Sequence, residues 1–195
     1  MTRWLPVCLT PALLLLISVS AGQAGHEKLK CDECHATHRP KAVGFPPGGS
    51  WNTKNLEDGL KTFTLYSSPS FDALNTDISQ PDGASRLCLG CHDGSYQGIS
   101  GGLRFGTGDL SRTHPVSFTY DSSLAARVSR NRLRDPSTTP SGLGGTIAKD
   151  MLDNRSKMQC TSCHDMHGKG TIPKMLRFKF GQDSNDPLCR VCHNM

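Results

Sequence analysis

The stretch KMQCTSCHDMHG, residues 157–168, decides how this chain must be built. It holds a Cys-x-x-Cys pair, Cys160 and Cys163, followed at once by His164, with a second histidine, His167, three residues on. The first part recurs three times, as Cys31-Asp-Glu-Cys34-His35, Cys88-Leu-Gly-Cys91-His92 and Cys189-Arg-Val-Cys192-His193. Cys-x-x-Cys-His is the attachment signature of c-type haem. Two thioethers fix one edge of the ring, and the adjacent histidine reaches the iron from one face. Zinc ribbons also use paired Cys-x-x-Cys, but their knuckles usually lie about 15–20 residues apart. Here successive first cysteines are 57, 72 and 29 residues apart. The spacing points to four covalently bound haem c groups.

The histidines carry the next step. The chain has eight. His35, His92, His164 and His193 are the proximal ligands of the motifs, and His26, His38, His114 and His167 remain. Four irons with two axial positions each need eight ligands, so supply matches demand if every haem is bis-histidine ligated. Imidazole is the commonest protein metal ligand. Methionine is the competing sixth ligand and would raise the potential, but with all spare histidines used none is needed. Met151, Met158, Met166, Met175 and Met195 therefore read as packing residues.

Two axial ligands approach iron from opposite faces. If the residues after the motif continue a short helix, His164 and His167 are neighbours on one side of it and cannot clamp the same haem. His38, three after His35, repeats the arrangement. The residues leave open which spare histidine serves which haem. Sequence order alone would give His38 to the second and His167 to the fourth, leaving His26 and His114 for the first and third. Pro115 biases His114 towards an extended backbone, so it reads as a ligand offered from a loop.

The amino terminus, MTRWLPVCLTPALLLLISVSAGQAG, has a basic start, an apolar run and a small-residue site ending at Ala24. Residues 1–24 read as a secretory signal peptide, leaving a tetrahaem domain over 25–195 with no later segment able to span a membrane. Beyond residue 24, Leu, Phe, Ile and Val together number 30 of 171 residues. That is below the roughly 20% at which chains begin to look disordered. Ordering each residue costs about 1.5 kcal/mol, so haem is expected to supply most of the core.

Between the motifs, residues 39–87 and 94–109 are rich in turn-forming residues and lack periodicity. Residues 122–135, SSLAARVSRNRLRD, are the best helix away from the motifs, with Arg127, Arg130, Arg132 and Arg134 making it basic. These arginines read as a solvated face, or as a docking patch for an acidic partner or haem propionates. Residues 136–145 read as a linker. A doubled pattern, Cys-x-x-Cys-His-x-x-His followed by a plain Cys-x-x-Cys-His, gives a weak two-module repeat over 31–92 and 160–193. The formal net charge of +5 is offset once haem propionates are counted, which argues against nucleic acid as a partner.

The stretches LCLGCHDGS (87–95), THPVSFTYD (113–121), KMQCTSCHDMHG (157–168) and MLRFKFGQDSNDPLCRVCH (175–193) resemble the doubled-CXXCH multihaem c-type cytochromes of metal-reducing bacteria. The start GHEKLKCDECHATH (25–38) is similar to that of extracellular members that polymerise into haem wires. The resemblance implies bis-histidine, low-potential haems in a closely spaced chain, with His26, His38, His114 and His167 as distal ligands. In wire-forming relatives one distal histidine comes from the adjacent subunit, a role for which His26 is the natural candidate.

The fold expected is mostly irregular, with short helices at the haem motifs, little β structure, and the haems as the core. The function expected is one-electron transfer by an exported protein, periplasmic or at the cell surface, with no catalytic residues of its own. Its partners would be redox proteins or extracellular metal oxides, and it could act as the subunit of a homopolymer. The rival reading is a multihaem reductase of nitrite-like substrates, which needs one iron with an open position.

Overall fold

The computed structural model describes residues 26, 29–35, 62–69, 71, 73, 80–93, 108–128, 132–168, 172–179 and 186–194. The signal segment, His38, Trp51 and most of the glycine-rich loop at 94–107 lie outside the described residues. Six short α-helices are present among them: α1 (Cys31–Cys34), α2 (Gly83–His92), α3 (Ser122–Arg127), α4 (Ile147–Asp150), α5 (Cys160–Cys163) and α6 (Pro187–Cys192). A 3-10 turn covers Pro173–Met175. No strand forms among the described residues, where β pairing is limited to isolated bridges such as Thr119–Lys157, Leu133–His193 and His164–Leu176. The mostly irregular fold read from the sequence is the fold observed.

Each haem motif is a helical turn because a Cys-x-x-Cys spacing puts both thiols on one face. The turn ends earlier than a helix continuing past the motif would. In α1, α5 and α6 the helix stops at the second cysteine, and the following histidine is extended: His35 at φ −107°, ψ 137°, His164 at −109°, 133° and His193 at −106°, 137°. Only α2 continues through its histidine, His92, before closing at Asp93. An extended histidine swings its ring away from the turn that carries the thiols.

Local chemistry starts these turns. The Asp186 carboxylate caps α6 by accepting from the Leu188 N–H at 2.8 Å, and Pro187 follows as the first helical residue, a position that needs no N–H. Asp121 caps α3 in the same way, from the Leu124 N–H at 2.7 Å. Before α5, the Gln159 N–H donates to the Ser162 hydroxyl at 2.9 Å, half of a reciprocal capping box.

Two expectations for the middle of the chain are corrected. The helix expected over 122–135 ends at Arg127, and Val128 is extended. Further on, residues 132–134 run alongside α6: the Arg134 N–H donates to the Cys192 carbonyl at 2.8 Å and its Nε to the Arg190 carbonyl at 3.0 Å. The carbonyls at the end of α6 need donors, and a strap of extended backbone supplies them where a longer helix could not. Arg127 and Arg132 are exposed, whereas Arg134 is drawn in as a structural donor.

Residues 136–145 are no linker. Pro136 and Ser141 are buried, the Ser141 N–H donates to the Gly145 carbonyl at 2.9 Å, and the Ile147 N–H to the Thr139 carbonyl at 3.0 Å. The Asp150 carboxylate accepts from the Ser141 hydroxyl and from the Gly145 N–H. A Cβ on Gly145 would lie 2.7 Å from that carboxylate, so glycine is needed there for close approach.

The protein also has a small apolar core of its own. Phe118, Tyr120, Leu124, Val128, Ile147, Met151, Met158 and Cys192 are buried together, with Phe71, Leu133 and Leu188 packed against them. Phe71 meets Phe118 edge-on at 5.3 Å. Met151 and Met158 pack here, as their reading as packing residues requires. The cluster gathers α3, α4 and α6, so the fourth motif is set into the best-packed part of the described chain.

Candidate haem centres

Six of the seven described histidines come together in three facing pairs, and His164 is the one outside them. The His35 and His167 ring centres are 6.1 Å apart with planes 25° from parallel. His26 and His92 are 5.8 Å apart, and His114 and His193 are 6.3 Å apart. Every pair joins one motif histidine to one spare histidine. A metal–imidazole bond of about 2.0 Å, with about 1.1 Å from nitrogen to ring centre, puts two rings sharing one metal about 6.2 Å apart. The observed separations fall around that value. They are too long for van der Waals stacking and leave room between the rings for a flat ligand.

The pairing departs from sequence order. His26 faces the second motif, not the first; His167 faces the first, not the fourth; His114 faces the fourth, not the third. The reason lies in the early end of α5. After the extended His164 the chain turns over Asp165–Gly168, with the Asp165 carboxylate accepting from the His167 N–H at 3.1 Å, and His167 leaves in a new direction. His167 thus faces His35 and not the haem position of its neighbour His164, because the chain turns and not because a helix continues. His26, the candidate for a ligand crossing between subunits, sits opposite His92 of its own chain.

Backbone carbonyls fix which ring nitrogen is free. His164 Nδ1 lies 2.9 Å from the Lys174 carbonyl, and His114 Nδ1 lies 2.8 Å from the Pro115 carbonyl. A carbonyl can only accept, so Nδ1 carries the proton and Nε2 is left as the electron-pair donor. The Lys174 carbonyl is aimed by an unusual backbone: Lys174 and Met175 both have positive φ, 61° and 54°. The segment is tied to α5 through the Asp165 N–H to the Met175 carbonyl at 2.7 Å and the Arg177 N–H to the Cys163 carbonyl at 2.9 Å.

At His26 and His193, charge and burial favour neutral imidazole, the form that binds metal. Burial lowers the His26 pKa, with the neighbouring His92 and His164 adding to it. Burial lowers that of His193 too, helped by His114 and Arg132. The eight motif cysteines form no disulfide with one another. Burial raises the thiol pKa of Cys163 to about 11 and of Cys192 to about 12. Cys88 and Cys160, from different motifs, share a side-chain hydrogen bond that raises the first and lowers the second.

At the fourth motif the space is visible as a cavity of about 310 Å³ whose walls include His114, His193, Cys192, Tyr66, Phe71, Phe118 and Tyr120. Two facing imidazoles, an attachment cysteine and aromatic walls suit a flat apolar ring. Among the described residues no three His, Cys, Asp or Glu side chains gather as a bare metal ion would require. The donor set fits haem.

A family model described as the doubled CXXCH motif matches residues 154–195. The match supports a multihaem c-type cytochrome. Its motifs imply covalently bound haem c and a role in electron transfer. No curated protein matches the chain. Among the described residues no helix is long and apolar enough to cross a membrane.

Several residues that shape these centres escaped the sequence reading. Lys174 acts through its backbone carbonyl, which leaves no compositional trace, and Arg177 acts both through its N–H to Cys163 and through its Nε, which donates to the Thr161 carbonyl at 2.8 Å. Ser85 and Gln159 act through a contact between residues 74 positions apart. A polar Gln directly before Cys160 was the one visible signal.

Proposed function

We propose that this chain is an exported tetrahaem c-type cytochrome whose four irons all carry two histidines, and that it carries electrons without transforming a substrate. The observation that carries the reading is the set of three histidine pairs, each at the spacing of two ligands on one metal. The first centre takes Cys31, Cys34, His35 and His167; the second Cys88, Cys91, His92 and His26; the fourth Cys189, Cys192, His193 and His114. The third takes Cys160, Cys163 and His164, and by count His38 is the histidine left for it.

Bound at these centres, haem supplies one-electron chemistry through its iron, and the protein sets potential through ligation, hydrogen bonding and burial. The chain's part is to hold and to orient. The Lys174 and Pro115 carbonyls keep His164 and His114 in the tautomer that offers Nε2, and Tyr66, Phe71 and Phe118 exclude water from the fourth centre. Two histidines per iron leave no open position, which argues against the reductase reading.

Export rests on the leader read at residues 1–24, and c-type cytochromes are typically exported. Redox proteins or extracellular metal oxides fit as donors and acceptors. If copies join into a filament, the ligand that crosses between them is His38, since His26 is engaged at home.

The test is spectroscopic. The haem-loaded, secreted protein should carry four haems by intact mass and show only low-spin ferric iron. His38→Ala should convert one haem in four to high spin. High-spin iron in the native protein would favour the reductase, and a colourless, zinc-loaded product would end the haem reading altogether.

A further inference from the structure

The second and third motifs are joined by a buried polar hub that haem attachment alone does not require. Gln159, directly before Cys160, is 1% exposed, and Ser85, one turn before Cys88, is fully buried. Gln159 Oε1 accepts from the Ser85 N–H at 3.1 Å and from the Ser85 hydroxyl at 2.6 Å. Its Nε2 donates to Asp82 at 3.1 Å and to Asp153 at 3.1 Å. A side-chain amide offers two donors and one two-lone-pair acceptor, so every valence is used. The Ser85 hydroxyl in turn accepts from the backbone N–H of Cys160 itself, at 3.0 Å.

The surroundings are built to this hub. Asp82 is also held by Arg155 at 3.0 Å and Lys157 at 3.2 Å, and its N–H donates to the Ser117 hydroxyl at 3.0 Å. Gly83 sits at φ +54°, where an added Cβ would come within 3.0 Å of the Gln159 amide. Apolar contacts would hold α2 and α5 together with slack. Hydrogen bonds are steep in distance and angle, and a saturated buried network fixes one arrangement. Both ends of this one land beside attachment cysteines, Ser85 one turn before Cys88 and Gln159 directly before Cys160.

We infer that Gln159 and Ser85 are positioning residues that set the gap between the attachment points Cys88 and Cys160, and thereby the electronic coupling between the second and third haems. The inference rests on the tetrahaem reading and adds to it which two centres are locked and by what. Coupling falls steeply with the gap between centres, so a sub-ångström loosening of the lock alters it without touching a ligand.

The test uses the full haem-loaded chain with Gln159→Met and Ser85→Ala, and Ser141→Ala as a control in the 136–150 loop. Intact mass and optical spectra report loading and ligation; electron paramagnetic resonance of the fully ferric protein reports magnetic coupling between neighbouring haems. The expected result is four low-spin haems throughout, with the coupled signal reshaped or lost in Gln159→Met, altered less in Ser85→Ala, and native in Ser141→Ala despite a lower melting temperature. Should Gln159→Met fail to load, Ser85→Ala, which removes only a hydroxyl, decides. A native coupled signal in the loaded hub variants, with only melting temperature lowered, overturns the positioning role and leaves the tetrahaem reading intact. Fewer than four haems, or high-spin iron, in the unmodified protein overturns that reading instead.

Discussion

At the scale of the residue, covalent and coordinate bonds decide what can be read. Two thioethers at one ring edge and an imidazole reaching the iron from one face hold Cys, Cys and His within five residues, so the motif residues are legible in the sequence. The distal partner obeys no such rule. His26, His114 and His167 were recognisable as candidates by count, but their assignment depends on turns that sequence order does not encode. His26→Ala should therefore open the second haem in an isolated monomer, giving a high-spin ferric band without any change in assembly. Retention of a fully low-spin spectrum would show that His92 takes its partner elsewhere. Lys174 tests a different point. A left-handed non-glycine residue costs roughly 1–2 kcal/mol, and the group that orients His164 is the backbone carbonyl. Lys174→Gly should raise the melting temperature slightly and leave the optical spectrum unchanged.

At the scale of the element, caps and straps matter more than helix propensity. The turns are too short to stand alone, so each depends on groups that satisfy its ends. Replacing the α6 cap, Asp186→Ala, should cost about 1 kcal/mol, read as a lower melting temperature of the loaded protein. Asp82 adds a pH dependence. Burial pushes its carboxyl pKa upward, but hydrogen bonds from Gln159 and Lys157 and the charges of Lys157 and Arg155 outweigh this and hold it below the usual range. Its folded value is thus lower than its unfolded one, about 3.9. The contribution is present above that pH and is lost as pH falls through the folded value. Acid titration should show stability falling below about pH 4, and Asp82→Asn should flatten that part of the curve. The basic stretch 122–135 shows why elements were only half legible: its first six residues follow local propensity and capping, while its end follows the carbonyls of α6, which lie more than fifty residues away.

At the scale of the whole molecule, composition told more than pattern. So few large apolar residues could not build a sheet or a bundle, and the loop-rich fold follows from that shortage. The cluster around Ile147 and Met158 was not legible, because its members are scattered singly from Phe71 to Cys192 through stretches that look like linker. It is small. The chain prepared without haem should show little helix by circular dichroism and no cooperative melt. A sharp transition would mean that the cluster around Tyr120 folds unaided and that the cofactor only decorates it.

The facing of His35 and His167 also matters in time. The two lie 132 positions apart in the chain, so a ring attached early at Cys31 and Cys34 would wait for this partner until most of the polypeptide had followed. Until then a haem held there would have His35 alone as its histidine. Completion of the first centre would thus report that the third motif has arrived, and a prematurely terminated chain would leave His35 without its partner.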